Sequence, residues 1–156
     1  MPLPSMFDAM NAALKEMQIQ EILDLNQTSV KFGLTLTVAE VQEIITARNQ
    51  ALQGYGRVEL DLEIIRKLIL NFCDSSLIAQ EDYVATLEEL LEVFYYLKNE
   101  TDDTIGDAEL LRIIKDFFEN TCGGSLELLR GQELDEFVRN FKRSRAVAYP
   151  SRDELG

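Results

Sequence analysis

The run Asp61-Leu62-Glu63-Ile64-Ile65-Arg66-Lys67-Leu68-Ile69-Leu70-Asn71-Phe72-Cys73-Asp74 is the strongest helical signal in the chain. Ile64, Ile65, Leu68, Ile69 and Phe72 recur at three- and four-residue steps, the spacing that gathers side chains on one side of an α-helix. They cover about half its circumference, so the helix reads as central and closed in by others.

Downstream, the same period continues. A helix over 81–99 turns Tyr83, Leu87, Leu90, Leu91, Phe94 and Leu97 inward and Glu81, Glu88, Glu89, Glu92 and Tyr96 outward. Another over 107–121 buries Leu110, Leu111, Ile114, Phe117 and Phe118, and Cys122-Gly123-Gly124 stops it. Leu126, Leu128 and Leu129 make a short helical turn that Gly131 breaks. A last helix over 133–144 places Leu134, Phe137, Val138 and Phe141 inside.

Upstream, Thr37 with Glu40 is a capping box that starts a helix over 38–52. Its stripe is Val38, Val41, Ile44, Ile45 and Leu52, and Gly54 and Gly56 end it. Before it, Ser5 and Asp8 open a segment whose face is Phe7, Met10, Leu14 and Met17. From residue 19 the apolar set moves to Ile19, Ile22 and Leu23, which reads as a kinked helix, or two short ones, ending near Asn26. Residues 30–36 and 57–60 instead alternate with period 2, so 34–36 and 58–60 are strand-like. All three prolines lie at the ends, at 2, 4 and 150, leaving 5–149 free of the strongest helix breaker. The expected fold is mainly α: a single-domain orthogonal bundle of five to six helices over 1–145, with room for a minor two-stranded β ribbon. Residues 1–18 read as an amphipathic N-terminal arm and 146–156 as a flexible polar tail.

Composition bounds the chemistry. The 156 residues carry 15 Lys+Arg against 28 Asp+Glu, a net charge of −13, with no His and two Cys. Catalysis by His and His-ligated metal are excluded, and the charge argues against direct nucleic-acid binding. No apolar run approaches a membrane span, and Met1–Ser5 lacks the basic and apolar parts of a secretory signal. Cys73 and Cys122 do not make a disulfide framework. The expectation is a cytoplasmic protein with reduced thiols.

Gly54-Tyr55-Gly56-Arg57-Val58-Glu59, Asn71-Phe72-Cys73-Asp74-Ser75-Ser76, Phe94-Tyr95-Tyr96-Leu97-Lys98-Asn99-Glu100-Thr101 and Cys122-Gly123-Gly124-Ser125-Leu126-Glu127 together resemble a family of small uncharacterised helical proteins from Firmicutes bacteria, over most of residues 20–130. The resemblance implies a bacterial, cytoplasmic, mostly helical protein and carries no activity with it.

Charge layout is the strongest functional signal. Residues 74–136 hold 17 acidic and 4 basic side chains, while 139–152 hold five basic ones, Arg139, Lys142, Arg143, Arg145 and Arg152. The plain reading is that acids solvate exposed helix faces while cations complement the last helix's dipole. The functional one is an acidic face, Glu88, Glu89 and Glu92 around Tyr96, that docks a protein with a basic surface. Met6, Phe7, Met10, Leu14 and Met17 form an apolar N-terminal face, read as packing on its own core or as pairing two copies in a homodimer. Arg48 points into the stripe of its helix, so it must pair with a carboxylate, such as an acid from the 61–74 helix, snorkel outward, or bind an anion. The acid-rich Lys98–Leu110 loop fails the calcium-loop pattern in both registers: one puts Lys98 first, the other puts Leu110 where the bidentate Glu belongs. No catalytic, cofactor or metal residues are assigned. The leading reading is a non-catalytic interaction or regulatory module. Its alternatives are a subunit of an enzyme with a carboxylate, Tyr or Cys site, and an acidic inhibitor that mimics nucleic acid.

Overall fold

A computed structural model describes residues 5–148. The described chain is mainly α, 77% helical, with six long helices, two short ones and no strand. It falls into two compact units, Met1–Leu91 and Glu92–Gly156.

In the first unit, α1 (Met6–Leu23) is one uninterrupted helix, its start capped by Ser5 Oγ accepting from the Asp8 amide at 3.1 Å. The short α2 (Asn26–Ser29) and a 3₁₀ turn, Val30–Phe32, follow, ending on Gly33 at φ 80°. Only glycine adopts that left-handed value without strain, so the chain can turn into Leu34 there. The capping box opens α3 (Val38–Gly54): the Thr37 amide donates to Glu40 Oε1 at 2.9 Å and the Glu40 amide to Thr37 Oγ1 at 3.2 Å. Val38 nonetheless stands 50% exposed and Ile45 only half-buried. Val38 is the first helical residue, before the helix has reached the core. Then comes α4 (Glu63–Phe72), whose five stripe residues are all buried. The helix α3 packs on α1 and on α4, and α2 packs on α4. Fully burying each such Leu, Ile or Phe contributes about 1.5–3 kcal/mol.

The β ribbon does not form. Leu34 and Leu36 are buried as their pattern requires, but their backbone is satisfied by side-chain amides in place of a second strand. Asn26 Nδ2 donates to the Leu36 carbonyl while the Leu36 amide donates to Asn26 Oδ1, both at 2.9 Å. Gln80 does the same for Thr35: its Oε1 accepts from the amide at 2.8 Å and its Nε2 donates to the carbonyl at 2.9 Å. Each carboxamide thus imitates one ladder rung. Val58 and Leu60 are 85% exposed, so the second stretch alternates with its apolar side facing water. Asn26→Ala strands a part-buried amide and carbonyl and is expected to destabilise by about 1–3 kcal/mol in urea titration. Gln80→Ala, whose bonds are exposed, is expected to cost less than about 1 kcal/mol. Equal effects would show that burial does not govern these clamps.

The boundary between units falls inside α5 (Tyr83–Glu100). In its second half Val93, Phe94 and Tyr95 are three consecutive buried residues, with the Phe94 and Tyr95 rings edge-to-face at 5.1 Å. The apolar set there spreads around the helix and is no single stripe. Glu88, Glu89 and Tyr96, read as outward, are half-buried in consequence. In the second unit, α6 (Asp107–Asp116) runs into a π-helical turn, Phe117–Thr121. There the Cys122 amide bonds the Phe117 carbonyl at 2.8 Å, and the left-handed pair Gly123 and Gly124 (φ 57° and 86°) closes the end. Ser125 caps the short α7 (Leu126–Leu128). A kink at Gly131 leads into α8 (Leu134–Ala148), which runs past residue 144, where the sequence pattern placed its end. Of the expected polar tail, residues 149–156 lie outside the described residues, as do residues 1–4 of the N-terminal arm.

Candidate interaction surfaces

Every residue from Ser5 to Met17 is exposed, although the stretch is helical and carries five large apolar side chains. Met6 is 84%, Phe7 69%, Met10 58%, Leu14 53% and Met17 68% exposed. Only beyond it do Ile19 and Ile22 enter the core. The side chain of Gln18 donates to the Leu60 carbonyl at 3.3 Å, which sets the exposed Leu60 beside the far end of this face.

The four residues of the acidic face are placed differently. Glu88 and Glu89 are half-buried in the first unit. In the second, Arg130 Nη2 sits 2.8 Å from Glu92 Oε2, and the Tyr96 hydroxyl donates to Asp135 Oδ1 at 3.1 Å. Glu92, Val93, Tyr96, Arg130, Leu134 and Asp135 line a small cleft of about 230 Å³. Sequence patterns on α5 alone could not show these partners, which stand 38 and 39 residues away.

The basic C-terminal helix turns back on the acidic loop. Lys142 Nζ pairs with Glu100 at 2.7 Å and Arg145 Nη1 with Asp102 at 3.0 Å. From the last turn of α5, Lys98, only 14% exposed, holds Asp107 at 2.8 Å, lies 3.9 Å from Asp103 and donates to the Ile105 carbonyl at 3.3 Å. Its ammonium thus supplies a cation to this acid-rich loop. Asp102 and Asp103 take left-handed values, φ 52° and 58°, which Asp tolerates better than most residues.

Arg48 is buried, 4% exposed. Its Nη1 donates to the Asp61 carbonyl at 2.6 Å and its Nε to Asn49 Oδ1 at 2.9 Å. The partners are a main-chain carbonyl and a neutral amide, where a carboxylate was expected. Asp61 Oδ1 also accepts from the amide of Glu63, the first residue of α4, at 3.1 Å. Arg48 therefore ties α3 to the start of α4.

Both thiols are buried. Burial, with the carboxylate of Glu133 adding to it, pushes the Cys122 thiol above its ordinary range. Raising that value keeps the thiol protonated further into alkaline pH, so less of the reactive thiolate is present at neutral pH. Native protein is expected to react with Ellman's reagent at pH 7.5 at least about tenfold more slowly than urea-unfolded protein. Equal rates would show an open thiol. Burial likewise raises the Tyr83 phenol.

An α-helical chain whose first helix keeps an apolar face exposed over residues 5–17, among the described residues, is the class this arrangement defines. The chain belongs to a family of unknown function, DUF6323, whose model matches residues 21–147. No curated protein and no solved structure matches it. The matched stretch begins after the exposed part of α1. No helix among the described residues is long and apolar enough to cross a membrane.

Proposed function

We propose that the chain is a non-catalytic protein–protein interaction or regulatory module whose docking element is the N-terminal face of α1. One observation carries the reading: Met6, Phe7, Met10, Leu14 and Met17 stand more than half exposed on a preformed helix. A contiguous apolar patch on a folded surface marks a place where another molecule sits. Helix-in-groove recognition uses anchors at this spacing, and thioethers adapt to irregular partners. A basic partner on Glu92 would have to displace Arg130, and the Tyr96 hydroxyl is already given to Asp135, which gives α1 the greater weight. The resemblance read from the sequence supports a bacterial, cytoplasmic setting.

Affinity capture from cell extract with the tagged native chain and a tagged Met10→Glu/Leu14→Glu chain tests this. The native chain is expected to retain proteins, copies of itself included, that the double variant loses. The same set captured by both forms overturns the reading.

A further inference from the structure

The geometry points to a second copy of this chain as the occupant of the α1 face, paired with it as an antiparallel two-helix seam; this rests on the docking reading of α1. Phe7, Met10, Leu14 and Met17 follow steps of three, four and three, the spacing of a coiled-coil seam. The positions flanking that seam are Met6 and Ala13 on one side and Asn11 and Gln18 on the other, none of them charged. Asp8, Lys15 and Glu16 fall on the far side of the helix.

Charge selects the occupant. Two chains of net charge −13 repel wherever their acids face each other. Ser5 to Leu14 contains one charged residue, Asp8, and it points away from the seam, so like-charged copies can approach there. A basic partner would find no carboxylate on this face to recognise. Area agrees: at about 200 Å² per large side chain, the five apolar residues present roughly 650 Å². The uncharged flanks and the neighbouring Leu60 bring this near the ~800 Å² per partner of a standard interface. A helical stretch of this length is marginal alone in water, and pairing gives it a second wall.

Orientation follows from where α1 is anchored. Ile19 and Ile22 bury its C-terminal end. An antiparallel pair sets the two anchored ends apart and lays the helix dipoles side by side in opposite directions, which is favourable. A two-fold axis then brings Phe7 of one chain against Met17 of the other and Met10 against Leu14.

Sedimentation equilibrium on the full chain provides the test. The native protein is expected at twice its 17.8 kDa mass. The Met10→Glu/Leu14→Glu variant, checked as helical by circular dichroism, is expected at the single-chain mass, with dissociation at least about tenfold easier. Raising salt from roughly 0.1 to 0.5 M tightens the native pair, because it screens like charges; a pair held by opposite charges would loosen. Mixed Phe7→Cys and Met17→Cys chains are expected to form the mixed disulfide, and Phe7→Cys pairing with itself instead overturns the antiparallel arrangement. A native chain that stays monomeric at both salts overturns the second copy as occupant. If that monomer still captures another protein through α1, docking stands and only the occupant changes; if it captures none, both fall.

Discussion

Leu68→Ala is expected to lower the unfolding free energy by about 2–5 kcal/mol, read from the midpoint of a urea titration. Leu68 is fully buried on α4, one turn from Ile64, Ile65 and Phe72, which are buried with it. Truncation removes the transfer free energy of the lost methyl and methylene groups and leaves a void that neighbours on a rigid helix fill only in part. Leu70→Ala on the same helix is the control, since Leu70 is 41% exposed; it is expected to stay below about 1 kcal/mol. A Leu68 loss under about 0.5 kcal/mol would mean that α4 is not a core helix.

The second large effect belongs to Arg48. Arg48→Ala is expected to destabilise by about 2–4 kcal/mol, because it removes a buried side chain, opens a gap between α3 and α4 and leaves the part-buried Asp61 carbonyl without its 2.6 Å donor. Arg48→Met keeps most of the volume and forfeits only the hydrogen bonds, so about 1–3 kcal/mol is expected. The order of the two is the discriminating result. If Met were as stable as Arg, the side chain would serve as a packing stem and its guanidinium contacts would add nothing.

What the sequence made legible was local. The five-residue stripe of α4 and the Thr37–Glu40 capping box each rest on contacts within a turn or two, and both stand as read. The strand pattern at 34–36 reported burial correctly, since Leu34 and Leu36 are inside, but burial with period 2 does not specify what satisfies the backbone. Asn26 is 10 residues from its partner and Gln80 is 45 from its own, and no short window joins them. The same distance hides Tyr96–Asp135 and Lys142–Glu100, separated by 39 and 42 residues. Lys98 carried a readable signal: it is a lone cation in the last turn of a helix, just ahead of Glu100, Asp102, Asp103 and Asp107. The Met and Phe spacing of residues 6–17 showed an apolar face, yet periodicity cannot distinguish a face packed on its own chain from one left bare.

The carboxamides of Asn26 and Gln80 have one more effect. A greasy, flat, unpaired stretch is a template for fibril growth, since its free amides and carbonyls recruit another chain rung by rung. Here the rungs at Thr35 and Leu36 are already taken on both edges, so the most strand-like piece of this protein is sealed against polymerisation by two side chains.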